Sequence, residues 1–257
     1  MTRRHVTFDC EGAQLVGTID EGDGPAGLLL VTGGNELRSG AWGGQSEFAA
    51  RLAASGFPVF RFDRRGTGDS EGRNAGFRAS APDIAAALGA FRAQCPVLGR
   101  VVAMGNCDAA SALMLAGGAG LDALILSNPW TFDEDGEAPA PQDVRRHYRG
   151  RLADAAAIKR LLTGKVSLGG LVRSLFAAAR PASPPSSLVG EMNAGIARFP
   201  APVVYLVAER DRTGQAFLSA WTEPGADIRL CPGATHSYVE PHARDWLFEQ
   251  ALRVLRG

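Results

Sequence analysis

The chain has 257 residues, 46% hydrophobic and 21% charged, enough apolar material for one sizeable α/β domain with an inserted segment or for two small domains. Its 27 basic and 27 acidic side chains cancel, which argues against nucleic acid or an anionic membrane as a partner, since both require a basic surface. Four widely spaced cysteines without a C-x-x-C pair speak against a disulfide framework and a structural zinc site. No apolar run approaches the roughly 20 residues that span a bilayer, and the first ten residues lack the apolar stretch of a secretory signal. The expectation is a cytoplasmic protein with no membrane insertion.

Two alternating runs, residues 5–10 and 14–20, flank Glu11-Gly12 and predict an antiparallel hairpin. GLLLV (27–31) is a continuous apolar run, as in a strand buried on both faces, and it ends in the loop Thr32-Gly33-Gly34-Asn35. Residues 45–55 carry apolar side chains at helical spacing, with Gly56 where a helix stop belongs. The same unit then recurs: strand 58–63 and helix 80–94, strand 100–104 and helix 108–116, strand 121–127. After an interruption come strand 202–208, a helix around 215–221, strand 227–231 and a last helix over 241–255. Strands alternating with helices of this length predict a mostly parallel sheet with helices on both faces. The interruption, 130–200, holds an acidic stretch, two helical patterns (142–163 and 168–180) and a loop rich in proline and serine (181–187). Because it leaves and rejoins the sheet at the edge where sites form, it predicts a helical lid, dividing the chain into core (1–129), lid (130–200) and core (201–257).

Gly105-Asn106-Cys107-Asp108-Ala109 joins the strand RVVAM to the helix DAASALMLA. A nucleophile elbow has the pattern G-x-S-x-G on such a strand-turn-helix, where a strained turn demands small neighbours; Gly105 and Ala109 meet that demand. The turn places its side chain at a helix N-terminus, where N–H groups and the helix dipole favour an anion and raise the thiolate fraction of a cysteine. The other reading of Cys107 is a small buried apolar residue, and it is the favoured reading of Cys10, Cys95 and Cys231. An acid and a histidine should follow the nucleophile in that order, at strand C-terminal ends. Asp211 follows strand 202–208 and His236 follows strand 227–231; Glu209 and Asp133 are alternatives for the acid, and Asp211 could equally be a surface carboxylate paired with Arg210 or Arg212. His5, His147 and His242 lie in less suitable places. An oxyanion would need two backbone donors, Asp108 N–H and one from the loop after GLLLV, Gly34 or, with a shift of one, Asn35. Each such donor contributes on the order of 3 kcal/mol to the transition state. The glycine-punctuated run 61–70 lacks the phosphate-loop Gly-Lys-Ser/Thr and is a structural turn in preference to a phosphate site.

With Phe62-Asp63-Arg64-Arg65-Gly66-Thr67-Gly68-Asp69-Ser70, the elbow, and the acid and histidine positions in hand, the chain resembles the α/β-hydrolase superfamily over nearly its whole length. It is more narrowly similar to the exosortase A system-associated hydrolases, a cysteine-elbow branch encoded near exopolysaccharide and protein-sorting genes. Gly33-Gly34 with Arg38-Ser39-Gly40, FRFDRRGTGDSEG, GNCDAASAL and IKRLLTGKVSLGGLVRSL (158–175) carry that likeness. Asn35, Glu36, Trp42 and Gly43 depart from it beside the oxyanion loop, which bears on substrate preference. The resemblance implies an α/β-hydrolase fold, a mostly parallel sheet with a helical lid, and cleavage of an acyl bond in a small-molecule substrate. Within that reading, Cys107, His236 and Asp211 form an acyl-thioenzyme that water resolves, no cofactor or metal takes part, and Trp130, Phe132, Leu171, Leu175 and Phe176 line an acyl pocket under the lid. Acyl transfer on the same residues, and a non-catalytic binding protein of a polysaccharide-export system, are the competing readings.

Overall fold

In the computed structural model, which describes residues 2–118, 120–132 and 187–257, the alternating N-terminal runs pair as the hairpin β1 (Arg3–Cys10) and β2 (Ala13–Asp20). Glu11 and Gly12 form its two-residue turn, both at positive φ (50° and 83°), the mirror-image turn whose twist suits tightly joined antiparallel strands. The remaining strands are β3 (Ala26–Val31), β4 (Val59–Phe62), β5 (Arg100–Asn106), β6 (Ala123–Ser127), β7 (Val203–Ala208) and β8 (Asp227–Cys231). All eight make one sheet in the order β1-β2-β4-β3-β5-β6-β7-β8. β2 meets β4 antiparallel, and from β4 to β8 every neighbouring pair is parallel.

The sheet is covered on both sides, and the side-chain alternation of β3 shows how. Leu28 and Leu30 join α1 (Gly44–Ala54) and the last helix, Pro241–Arg256, through Leu52, Ala251 and Leu255. Leu29 and Val31 face the opposite layer, built from α2 (Ala81–Gln94), α3 (Asp108–Leu115), α4 (Ser187–Ile196) and α5 (Arg212–Ala220). The last helix is therefore α6. Because both faces are buried, β3, β4 and β6 are apolar along nearly their whole length, which is why their runs lacked alternation.

Helix α4 was not among the sequence-based expectations. It begins at Ser187 and buries Leu188, Val189, Met192 and Ile196 in the main core. Gly195 lets it close on α3: a Cβ there would stand 1.9 Å from the Met114 carbonyl oxygen. From Ser187 the expected insertion thus contributes a helix to the main core, packed against α3. Residues 133–186, with the helical patterns 142–163 and 168–180, lie outside the described residues.

After Arg61 and Phe62 close β4, the rest of the run 61–70 is a turn organised by one carboxylate. Buried Asp63 accepts the N–H of Arg38 (2.6 Å) and of Asp69 (3.1 Å) and pairs with the Arg38 guanidinium. A Cβ on Gly68, which has φ 54°, would lie 2.2 Å from Asp63 Oδ2, so glycine is required both for conformation and for space.

Candidate active site

β5 delivers the chain into Cys107 with φ 60° and ψ −127°, a conformation a non-glycine residue adopts only when its surroundings enforce it. Those surroundings are visible. Cys107 N–H donates to Ser127 O on the neighbouring strand (2.9 Å), and Cys107 O accepts the N–H of Trp130 (3.3 Å) as α3 begins. A Cβ on Gly105 would lie 2.7 Å from Ala109 C, so the tightness of the turn dictates the glycine two residues before the sulfur. Cys107 itself is partly exposed. The three other cysteines stand in contrast: burial, the leading cause in each case, raises the thiols of Cys95 and Cys231 and pushes Cys10 up to about 11.

Asp211 follows β7 and caps α5: its Oδ2 accepts Gly214 N–H at 3.0 Å. The same oxygen lies 2.9 Å from His236 Nδ1. His236 comes from the loop after β8, and its side chain is 39% exposed against 8% for Asp211. The ring is pushed up to about 10, led by the hydrogen bond to Asp211, with the nearby Cys107 raising it further against the opposing effect of burial. The chain thus sets a carboxylate after β7 against a ring after β8, and Asn106, at the end of β5 beside Cys107, faces the ring's other nitrogen. Glu209, the nearby alternative acid, is turned to Gly233 N–H (2.7 Å). His5 sits with Thr18 and His242 with Pro232 O, while Asp133 and His147 lie outside the described residues.

Sequence reading missed Asn128. It is fully buried at φ 41°, and its Oδ1 accepts Ala208 N–H at 2.8 Å. Its amide nitrogen reaches Asn106 Oδ1 (3.1 Å) and His236 O (3.3 Å). One side chain therefore ties the ends of β5, β6 and β7 to the histidine loop. Asn106 Nδ2 in turn lies 3.4 Å from His236 Nε2 and 3.3 Å from His236 O. The only sequence signal was a pair of asparagines at strand ends, which carries no information about their meeting.

The expected oxyanion loop lies beside the elbow, with a difference. Gly34 N–H donates to both carboxylate oxygens of Asp108, at 2.9 and 2.8 Å, so in this structure that donor is engaged. Asn35 N–H makes no hydrogen bond within the described residues, and the Asn35 side chain accepts from Asn74 (2.8 Å). Of the expected pocket residues, Trp130 and Phe132 pack edge to face with centroids 4.7 Å apart, next to the backbone of Cys107. Leu171, Leu175 and Phe176 lie outside the described residues. A cavity of about 130 Å³ opens on the opposite side of the strand ends, between Met104, Asn106, Phe48, Trp42, Tyr238 and Glu36. It borders the neighbours of Cys107 and His236 rather than the reacting atoms. Glu36 at its wall is raised above the usual carboxylate range, chiefly by burial, while the bond from Ala41 N–H opposes this.

Strand order, elbow and strand-end loops define a class of protein in which a nucleophile on a sharp turn is served by loops from later strands. The chain belongs to the alpha/beta hydrolase family, whose model matches residues 28–250, and is a hydrolase by class. Solved structures share the fold. An alpha/beta hydrolase, GrgF, from Penicillium sp. sh18 is 18% identical with a TM-score of 0.64, covering 100% of this chain and 96% of its own. The Pyrococcus furiosus esterase Pf2001 is 15% identical with a TM-score of 0.61, covering 99% of this chain and 90% of its own. Est1E from Butyrivibrio proteoclasticus, solved with ferulic acid, is 16% identical with a TM-score of 0.59, covering 96% of this chain and 99% of its own. A search of curated sequences gave no significant match. No helix among the described residues is long and apolar enough to cross a membrane.

Proposed function

We propose that the protein cleaves a carboxylic ester or thioester of a small molecule through Cys107, His236 and Asp211, within the exosortase-associated, cysteine-elbow branch of the family. The observation that carries this reading is the placement of His236: its Nδ1 stands 2.9 Å from Asp211 Oδ2, while its Nε2 lies 3.4 Å from Nδ2 of Asn106, the residue before Cys107 at its strained turn. Asp211 holds the ring in one orientation and balances its charge. Cys107 gives its thiol proton to His236 as its sulfur forms a bond to the carbonyl carbon and the carbonyl electrons move to oxygen. The tetrahedral intermediate collapses by breaking the bond to the alkoxide or thiolate, which takes its proton from His236. Water then attacks the acyl-thioenzyme, giving a proton to His236, and the carboxylic acid leaves as the sulfur is released. Asp108 N–H and a donor from the loop at Gly34–Asn35 stabilise the oxyanion. Acyl transfer follows the same course with an alcohol or amine in place of water.

The test is intact-mass analysis after exposure to esters and thioesters of graded chain length, with Cys107→Ala and His236→Ala alongside. The expected result is an acyl adduct on Cys107 that is lost on standing and absent from Cys107→Ala. An adduct elsewhere, or none while substrate is still hydrolysed, overturns the proposal. The engagement of Gly34 N–H by Asp108 favours a second reading, a binding protein that keeps the pocket without the chemistry. It predicts no turnover of any ester or thioester.

A further inference from the structure

The amide offered by the oxyanion loop is already in use. An N–H shared between two oxygens of one carboxylate, as Gly34 N–H is with Asp108 at 2.9 and 2.8 Å, has no capacity for a third acceptor. The approach depends on Gly33, where a Cβ would stand 2.2 Å from Asp108 Oδ1. Arg64 completes the arrangement. Its guanidinium is buried, Nη2 donates to Gly34 O at 2.6 Å and lies 3.9 Å from Asp108 Oδ2, and its Nε, also buried, has no partner among the described residues. A backbone amide and a buried cation, both suited to an anion, are met by the carboxylate of the residue that follows the nucleophile.

We propose that the Asp108 carboxylate is the resting-state occupant of the site that receives the tetrahedral oxyanion, and that an acyl substrate must displace it; this rests on Cys107 being the nucleophile. Two negative groups cannot share one N–H, so formation of the oxyanion and the present position of Asp108 exclude each other. Asp108 lies in the first turn of α3, so rotation about its Cα–Cβ bond moves the carboxylate away while its own N–H stays in place as the other donor. Arg64 supplies the charge that steadies the carboxylate as it leaves Gly34. Breaking a charge-assisted hydrogen bond before chemistry slows acylation by about tenfold. The residue thereby selects for thioesters and other activated acyl groups, whose electrophilic carbonyl carbon forms the tetrahedral oxyanion readily enough to offset the displacement of Asp108.

The test compares wild type with Asp108→Asn and Asp108→Ala, measuring the acylation burst with p-nitrophenyl acetate and the rate at which iodoacetamide alkylates Cys107. Alkylation forms no oxyanion, so the ratio of the two rates isolates the oxyanion site from general thiol reactivity. The expected ratio rises about tenfold in Asp108→Ala. It rises less in Asp108→Asn, whose side-chain oxygen still accepts from Gly34 N–H without carrying charge. An unchanged or lower ratio in either folded variant, checked by thermal melting, overturns the proposal and makes Asp108 a scaffold for the loop. Failure of the catalytic reading has its own signature: no acyl adduct on Cys107 in wild type or in either variant while iodoacetamide still labels it. That result overturns this proposal too.

Discussion

Asp211 Oδ2 accepts from both His236 Nδ1 and Gly214 N–H, so one oxygen orients the ring and caps a helix. Substitutions separate the two tasks. Asparagine is itself a good N-cap, so Asp211→Asn should keep the folded stability nearly intact while kcat for a p-nitrophenyl ester falls by about 10²–10⁴, the range seen when a ring loses its orienting carboxylate. Asp211→Ala should lose the same activity and about 1 kcal/mol of stability besides, read by urea unfolding. A variant Asp211→Asn that keeps wild-type kcat would remove Asp211 from the site. The ring also makes stability depend on pH. His236 rises from 6.5 to about 10 on folding, led by the bond to Asp211. A group raised on folding contributes fully below its unfolded value and loses that contribution as pH climbs through the folded one. The Tm gap between wild type and Asp211→Asn should therefore be widest below pH 6.5 and close between pH 6.5 and about 10. A gap that widens with pH contradicts this. The ring is 39% exposed, so solvent screening keeps the gap small.

At the scale of elements, the site is an assembly of strand ends, and Asn128 is the knot between them. Asn128→Ala leaves the buried Ala208 N–H without a partner, which costs about 1–3 kcal/mol in urea unfolding. It also removes one of the two amides that hold His236 O, leaving Asn106 Nδ2 alone, so kcat should fall by more than KM rises; an equal change in both would mean that Asn106 suffices to hold the histidine loop. The rhythm of strands and helices was legible because β3, β5 and β7 are apolar runs closed by glycine or polar turns, a pattern set by burial on both faces. The elbow was legible because its tight turn dictates Gly105 and Ala109 locally. Asn128 was not, since its value lies in partners 22, 80 and 108 positions away in the chain. The bond between Gly34 and Asp108 spans 74 positions and was hidden for the same reason. Helix α4 carried a helical spacing of Leu188, Val189, Met192 and Ile196, but it fell within the interruption assigned to a lid, after the expected loop 181–187, and no element was assigned to it.

For the molecule as a whole, the fold distributes four thiols over different environments. Burial raises Cys10, Cys95 and Cys231, which makes each a poor nucleophile at neutral pH, whereas Cys107 sits at the mouth of the strand ends. A disulfide reagent should release about one equivalent quickly from the native protein and the remainder only after denaturation, and Cys107→Ala should abolish the fast phase. Two or more fast equivalents would refute the assignment of these environments. The sheet order also has a temporal meaning. Cys107 follows β5, near the middle of the sheet, whereas His236 lies beyond β8, an edge strand made much later than β5. A growing polypeptide can pair β3 with β5 and set the sulfur in its turn long before residue 236 has left the ribosome. During synthesis the strained turn can thus exist before its ring partner, and on the proposed mechanism the thiol lacks its imidazole until the loop after β8 has been made.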